Sequence, residues 1–433
     1  MRPSRARYGV ILFAVVLAII QYVDRICISK GMKLIDADLN LGPDAIGWIY
    51  GAFTLSYSLF EIPTGWMGDR FGAKKTLIRV TLWWSLFTAA TGWVKGFWSL
   101  WIVRFLFGAG EAGCFPNITK AFSTWLPPSE KVRAQSVLWL AARWGGAFTP
   151  LLVYWVLDHV PSWRHAFYIF GGLGVVWVVA FAWWFKDNPH EHPGVNEEEK
   201  KLLTDVGNLA SQHEAVPWKV FASSRSAWLL WAQYFLLSYS WYFYITWFPG
   251  YFDAKYAATL GPKTCALLEG LPLFLGGFGS LFSGFVVQAL SRKLGDLGAA
   301  RRTLARVGFG GAGVCVLLAY YSGNPWAMAL LLGCAGLFND FVMPSAWGAC
   351  MDVGGKFAGT FSGSMNMLGN FGGFFASVII GYIIKHTGNK AAGDFPLIFY
   401  FSAASYFLGV LCWKFIDPVT PLEREAKVAA ATA

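Results

Sequence analysis

Long apolar runs separated by short polar stretches set the pattern of this chain. A helix needs about 20 apolar residues to cross the hydrocarbon core of a bilayer, which is about 30 Å thick. Twelve runs of roughly this length occur, at residues 8–29, 46–66, 76–93, 98–121, 134–158, 165–186, 226–252, 265–289, 303–321, 326–350, 358–384 and 395–416. The pattern therefore predicts an all-α polytopic membrane protein with twelve transmembrane helices.

One long polar stretch divides these runs into two equal sets. Residues 187–225, which contain DNPHEHPGVNEEEKK, separate the first six runs from the last six. An equal division of this kind suggests an internal duplication. The predicted parts are an N-terminal six-helix half, a cytoplasmic linker, a C-terminal six-helix half and a cytoplasmic tail, at residues 1–186, 187–225, 226–416 and 417–433.

Composition excludes an ordinary soluble enzyme. The 433 residues are 56% hydrophobic and only 14% charged, whereas a soluble domain carries about 25% charged residues. The net charge of +10 is spread over short basic clusters between the apolar runs and is not gathered on one face, which disfavours a nucleic-acid partner.

The basic residues instead predict an orientation in the membrane. With the N-terminus placed inside, most of the 35 lysines and arginines fall in cytoplasmic segments, as the positive-inside rule requires. An even number of helices then places both termini in the cytoplasm. We expect a multi-pass protein of the plasma (inner) membrane.

Neither a metal nor a cofactor is expected. The six histidines fall at helix ends or in loops, and the seven cysteines lie in or beside apolar segments without a Cys-x-x-Cys pair. The glycine-rich stretches lack the Gly-Lys-Ser/Thr ending of a phosphate-binding loop. Transport driven by nucleotide hydrolysis within this chain is therefore disfavoured.

Ionisable residues inside the apolar runs are the main candidates for chemistry, because a charge at mid-membrane costs several kcal/mol. They are Asp24, Arg25, Arg104, Glu111, Arg143 and Asp340. Four others are predicted closer to helix ends, where solvation is the simpler explanation: Glu61, Lys120, Asp158 and Glu269. An alternative is that the buried charges only form ion pairs that fix helix packing, although such pairs stabilise poorly against apolar replacements.

The buried charges favour an anionic ligand. Three arginines with Asp24 and Glu111 sum to about +1, and each proton taken up by a carboxylate adds one positive charge. Protons and an anion would then favour each other's binding. Groups suited to a hydroxylated ligand occur on several of the predicted helices: Gln21, Tyr57, Tyr242, Tyr244, Ser345, Asn366 and Asn370.

Three segments resemble the major facilitator superfamily, and within it the anion:cation symporter branch that includes sialin, vesicular glutamate transporters and bacterial sugar-acid transporters. They are the loop GWMGDRFGAKK (65–75), RFLFGAGEAGCFP (104–116) and YVDR (22–25). The resemblance implies a central cavity between two six-helix halves, alternating access and coupling to protons.

The resemblance also implies roles for single residues. Asp24 and Glu111 would carry protons, with Arg104 balancing Glu111, and Arg25 would meet the carboxylate of the substrate. Lining residues would include Tyr22, Tyr57 and Asn370, and we add the candidates Arg143, Tyr242 and Ser345.

The signature loop and Arg143 complete the set. Gly65, Asp69 and Arg70 would latch the cytoplasmic side in the outward-open state. Arg143 departs from the family, whose bacterial sugar-acid members often have a neutral amide near this position. It suggests a second anionic group on the substrate or a different proton balance, with Asp340 as a possible counter-ion.

The predicted function is proton-coupled symport of a small organic anion, most simply a hexonate, hexuronate or aldarate, by a protein that is not an enzyme and works as a monomer. One alternative is a proton-independent exchanger or facilitator on the same fold. A membrane receptor that has lost transport is a remote one, because it would need a missing cavity cluster or an appended soluble domain.

Overall fold

The computed structural model describes residues 3–203, 218–354, 358–387 and 395–422. The middle of the predicted linker and most of the predicted tail lie outside the described residues, as does the side chain of Asp69. Within these ranges the chain folds into helices joined by short connections, and no strand is present in them.

Seventeen α-helices are found in the described ranges. In chain order they are α1 (Ala6–Leu39), α2 (Pro43–Phe71), α3 (Ala73–Ala90), α4 (Phe97–Glu111), α5 (Cys114–Trp125), α6 (Pro128–His159), α7 (Trp163–Trp184), α8 (Glu197–Leu203), α9 (Trp218–Ser223), α10 (Arg225–Tyr242), α11 (Phe248–Leu260), α12 (Pro262–Glu269), α13 (Leu271–Leu294), α14 (Leu297–Tyr321), α15 (Pro325–Gly354), α16 (Ala358–His386) and α17 (Pro396–Phe415).

Each predicted apolar run falls on helical structure, but three runs are interrupted. The run at 98–121 breaks between α4 and α5, directly after Glu111. A π-helical turn, Phe243–Trp247, joins α10 to α11, and Gly270 separates α12 from α13.

Eight helical stretches of the described residues are long and apolar enough to cross a membrane: Ala6–Leu39, Arg133–His159, Trp163–Trp184, Pro262–Leu294, Leu297–Tyr321, Pro325–Gly354, Thr360–His386 and Pro396–Phe415. The all-helical class is therefore confirmed. The count of twelve spans stays a prediction.

The connection between α2 and α3 explains one glycine of the signature loop. Gly72 alone links the two helices, with φ of 87°. That backbone conformation strains any residue with a Cβ atom. A Cβ atom here would also lie 2.9 Å from the Asp187 carboxylate, which accepts a hydrogen bond from the backbone N–H of Lys74.

Helix α1 begins beside the predicted linker, and this defines two sides of the bundle. The Arg7 guanidinium forms ion pairs with Glu130 at 2.9 Å and with Glu199 of α8 at 2.8 Å. Hydrogen bonds from Arg7 lower the pKa of Glu130. We call this the linker side, and we call the side where α1 ends and α2 begins the far side.

The helices before and after residues 187–225 pack mainly among themselves. In the N-terminal half, α1 packs on α6 and α7, α2 packs on α4, and α3 packs on α4 and α7. In the C-terminal half, α15 packs between α13 and α14, while α10 contacts α16 and α17. The main contacts between the halves join α2 to α16 and α6 to α12 and α13.

Small residues let α2 and α16 meet backbone to backbone on the far side. A Cβ atom at Gly47 would lie 2.7 Å from the carbonyl oxygen of Ser377 and 3.2 Å from the Cα atom of Gly381. Such distances leave no room for a side chain, so this contact depends on glycine at position 47.

Ion pairs between the halves reinforce the far side. Lys30 on α1 lies 2.5 Å from the carboxylate of Asp253 on α11 and 2.9 Å from that of Glu269 on α12. Lys385 at the end of α16 reaches Asp44 at the start of α2, at 2.6 Å. The two halves are therefore held together on this side.

We expect Gly47→Val to lower the thermal unfolding midpoint of the purified protein. The added side chain overlaps the α16 backbone, which cannot rotate away, and overpacking of this kind costs about 1–3 kcal/mol. Gly172→Val on α7 is the matched control, because nothing lies within 4 Å of a Cβ atom there. Equal midpoints for the two variants would show that the α2–α16 contact is loose.

Candidate functional site

Arg25 and Glu111 form a buried ion pair between α1 and α4. The Nε atom of Arg25 donates to Oε1 of Glu111 at 2.8 Å, and Nη2 lies 2.7 Å from the same oxygen. The Arg25 side chain is 9% exposed and that of Glu111 is fully buried. The guanidinium also lies 5.1 Å from the ring centres of Tyr22, Phe53 and Tyr57.

Arg104, which the resemblance implies balances the charge of Glu111, acts on Glu111 electrostatically but does not form its ion pair. It lies on the same helix seven residues earlier, a rise of about 10 Å, so Arg25 from the neighbouring helix is the direct partner. The Arg104 guanidinium lies 4.1 Å from the centre of the Phe107 ring. Its Nε and Nη1 atoms are buried without a hydrogen-bond partner among the described groups.

Asp24 faces the interior of the N-terminal half. Its Oδ2 atom accepts a hydrogen bond from the indole of Trp84 on α3 at 3.2 Å, while Oδ1 is buried without a partner among the described groups. Adjacent residues of a helix point about 100° apart. This is why Asp24 and Arg25 face different neighbours.

Arg143 on α6 and Asp340 on α15 form a second buried ion pair, which joins the two halves. Nε and Nη2 of Arg143 donate to the two carboxylate oxygens of Asp340 at 2.7 and 3.1 Å. Ser280 and Asn339 also donate to this carboxylate, both at 3.0 Å. The guanidinium stacks 3.7 Å from the centre of the Trp241 ring.

Tyr22 connects the two ion pairs. Its hydroxyl oxygen accepts a hydrogen bond from Nη1 of Arg143 at 3.1 Å, and its ring lies beside Arg25. The structure therefore brings together three residues that are predicted to bind substrate: Tyr22 and Arg25 on α1, and Arg143 on α6.

The C-terminal half contributes an amide network opposite Arg25. The Tyr242 hydroxyl donates to the side chain of Asn370 at 2.7 Å, and the Asn370 amide donates to the backbone carbonyl of Asn366 at 3.0 Å. The Asn366 amide in turn donates to the Glu61 carboxylate on α2. Ser345 is fully buried on α15, and its hydroxyl has no hydrogen-bond partner among the described groups.

A small cavity lies beside the Arg25–Glu111 pair, between the two halves. Both Arg25 and Arg104 line it, together with Ser29, Tyr50, Tyr242 and Thr246. The lining thus includes two arginines and four residues with hydroxyl groups, a composition suited to an oxyanion.

Glu61 and Glu269 belong to the buried set, although the sequence placed them near helix ends. Helix α2 continues for ten residues beyond Glu61, to Phe71, so this carboxylate lies well inside the helix. Glu269 closes α12 but is covered by its contact with Lys30.

The signature loop lies on the linker side. Arg70 is exposed, and its guanidinium lies 5.2 Å from the Trp66 ring centre and 5.7 Å from that of Phe71. Gly65 lies close to Pro116 of α5, and a Cβ atom at Gly68 would collide with the Asn117 side chain. The loop is therefore packed against α5 of its own half, and Asp69 lies outside the described side chains.

Comparisons with known proteins agree with this architecture. The family model described as Major Facilitator Superfamily matches residues 14–377. The chain is 32% identical to a probable sulfoacetate transporter of Cupriavidus necator, over 93% of this chain and 92% of the relative. It is 29% identical to a probable galactarate/D-glucarate transporter of Escherichia coli, over 90% of this chain and 89% of the relative. These relatives are transporters of organic anions and not enzymes.

Solved structures share the fold at low sequence identity. A D-xylose-proton symporter superposes with a TM-score of 0.74 at 12% identity, covering 96% of this chain and 99% of the other. A bacterial homologue of the lysosomal transporter Spinster superposes with a TM-score of 0.73 at 16% identity, covering 94% and 96%. The chain is thus a multi-pass membrane transporter that is related to transporters of organic anions, and it belongs to the major facilitator superfamily.

Proposed function

We propose that the protein is a proton-coupled symporter of a small organic anion, most simply a hexonate, hexuronate or aldarate, that works by alternating access. Relatives named for sulfoacetate, galactarate/D-glucarate and D-galactonate support this substrate class. The proposal includes twelve transmembrane helices in two halves, residues 1–186 and 226–416, with both termini in the cytoplasm. It also includes the plasma (inner) membrane as location and a functional monomer.

The Arg25–Glu111 ion pair carries the proposal. A planar guanidinium can hold a carboxylate through two hydrogen bonds, and in this structure Glu111 occupies Arg25. A substrate carboxylate can replace Glu111 at little cost only when Glu111 takes up a proton, since two carboxylates beside one arginine would repel each other. Proton and substrate binding are then coupled through one guanidinium.

The buried charges other than the Lys30–Glu269 pair, whose charges cancel, strengthen the coupling. Three guanidinium groups, of Arg25, Arg104 and Arg143, face four carboxylates, of Asp24, Glu61, Glu111 and Asp340. The fully ionised set therefore carries one net negative charge and disfavours an anion. Uptake of two protons reverses the sign, so protonation precedes or accompanies substrate entry.

Hydroxyl and amide groups around Arg25 suit the polar body of a sugar acid. Tyr57, Tyr242 and Asn370 approach from both halves and offer donors and acceptors. Arg143 can hold a second anionic group only if it exchanges Asp340 for that group, because Asp340 now takes two of its donors.

The proposed orientation in the membrane identifies the linker side and the far side of the bundle. The linker side is the cytoplasmic side, and the far side is the exterior. The far-side contacts close the exterior entrance in this structure, while Gly65, Asp69 and Arg70 latch the cytoplasmic side when the exterior opens. Asp24, with Arg104 nearby in the same half, serves as a second proton carrier.

A proton-independent exchanger on the same fold is the competing function. Proteoliposomes loaded with buffer distinguish the two, because an inward proton gradient should drive accumulation of labelled D-glucarate, D-galactonate or sulfoacetate in a symporter. An exchanger would show no response to the gradient, and would take up labelled substrate only into proteoliposomes preloaded with the unlabelled anion.

Glu111→Gln should abolish gradient-driven accumulation while leaving exchange of labelled for unlabelled substrate. Glutamine cannot take up or release a proton, yet it leaves Arg25 available to the substrate. Asp24→Asn tests the second carrier in the same proteoliposome assay. Full accumulation by both variants would contradict their roles as proton carriers.

Arg25→Lys should weaken substrate binding roughly 10- to 100-fold, the range expected when charge-assisted hydrogen bonds are lost. Lysine keeps the positive charge but not the planar fork that grips a carboxylate. Isothermal titration with the transported anion gives the affinity. Arg306→Lys on α14 is the control, because Arg306 is exposed, and equal losses in the two variants would count against a contact with substrate.

Asp340→Asn should raise the preference for a dianion such as D-glucarate over the monoanion D-galactonate, because Arg143 loses its carboxylate partner. The same change should lower stability by about 3–5 kcal/mol, the usual cost of leaving one charge of a buried pair alone. Thermal-shift measurements with both ligands report both effects. Adding Arg143→Gln to Asp340→Asn should restore stability and remove the preference for the dianion. If Asp340→Asn leaves the preference unchanged, the Arg143–Asp340 pair has a structural role alone.

A further inference from the structure

Glu61 is a buried carboxylate at the contact between the two halves. It lies on α2, one turn after Tyr57, and is 9% exposed. Its Oε1 atom accepts a hydrogen bond from the Asn366 amide on α16, and its Oε2 atom is buried without a partner among the described groups. Among the described groups, the carboxyl group therefore forms a hydrogen bond across the interface through one of its two oxygens.

The groups facing Glu61 offer little compensation for a negative charge. Arg25 on α1 acts on it electrostatically, as do Tyr57 on α2 and both Tyr234 and Tyr242 on α10. Within the described part of the chain, Glu61 forms no ion pair within 4.0 Å. By contrast, Glu111, Asp340 and Glu269 each touch a cation.

These contacts fit a neutral carboxyl group better than a carboxylate. A protonated glutamic acid would use Oε1 as the carbonyl that accepts from Asn366 and would carry its proton on Oε2. An ionised group in the same place would have one amide hydrogen bond to offset the loss of water, which is costly in an apolar interior.

Glu61 is also connected to the proposed substrate residues. Asn366 is one helical turn from Asn370, which accepts from Tyr242, and Tyr57 is one turn from Glu61 on its own helix. A proton on Glu61 is therefore held next to the space that the anion would occupy.

We propose that Glu61 is a third proton-binding group of the transport site, which binds a proton together with the anion and releases it when the anion leaves. This inference rests on the proposed symport. Among the described residues, the one hydrogen bond of the Glu61 carboxyl group crosses between the halves. A movement that separates α2 from α16 would therefore expose the group to water and let the proton leave. Protonation of Glu61 together with Glu111 brings the buried set from one net negative to one net positive charge.

Infrared difference spectroscopy of the purified protein tests the proton directly and needs no substrate. A pH titration should show the carbonyl band of a protonated carboxyl group in the wild type and lose one such band in Glu61→Gln. Glutamine keeps the oxygen that accepts from Asn366, so the variant should fold. Glu197→Gln is the control, because Glu197 is exposed and paired with Lys200; an unchanged titration in Glu61→Gln would overturn the proposal.

Transport stoichiometry gives the second measurement. In proteoliposomes, the gradient of labelled D-glucarate that balances an imposed proton gradient should correspond to one proton fewer per substrate in Glu61→Gln, and Glu61→Asp should restore the wild-type ratio. A lower affinity with an unchanged ratio would mean that Glu61 only accepts a hydrogen bond from substrate, and would also overturn the proposal. A wild type indifferent to the proton gradient would refute symport, while the infrared titration would still report on Glu61.

Discussion

The cost of a lone charge in an apolar interior governs the arrangement of this protein. An unpaired ion away from water costs several kcal/mol, so most buried guanidinium and ammonium groups among the described residues pair with a carboxylate from another helix; Arg104, which packs against Phe107, is an exception. Arg25 thus joins α1 to α4, and Arg143 joins α6 to α15 across the two halves. Lys30 joins α1 to α11 and α12 in the same way. These contacts between helices thus follow from the need to neutralise buried charges.

The same requirement underlies the proposed exchange of anions at Arg25. In that proposal, the guanidinium always keeps an anionic partner, which is either Glu111 or a substrate carboxylate. Protonation of Glu111 would permit the exchange, because the neutral acid no longer competes for the charge. Arginine suits this position since it stays charged throughout, so that the carboxylates alone change their protonation.

Much of this could be predicted from the sequence, and the two exceptions have different physical causes. Apolar runs located the helices, and the rarity of buried charges singled out Asp24, Arg25, Glu111 and Arg143. The sequence also named Asp340 as a counter-ion for Arg143. It did not predict that Arg25 would pair with Glu111. Residue spacing fixes the angle and the rise between side chains of one helix, but it does not fix how that helix is rotated against its neighbours. Glu61 was misplaced because the end of α2 lies beyond the apolar run.

The contacts between the halves differ in how easily they can be broken. Asp44 and Lys385 are partly exposed, and a pair of this kind contributes about 0–1 kcal/mol. Lys30 and Glu269 are buried, but Glu269 ends α12 and the second partner of Lys30, Asp253, is partly exposed, so entering water can take over their solvation. Arg143 and Asp340 lie deep in the bundle, and separating such a pair costs about 3–5 kcal/mol unless another ion replaces one partner. Separating the halves on the far side therefore costs little at the exposed edge and much at the centre, so in the proposed mechanism the free energy of opening depends mainly on the Arg143–Asp340 pair.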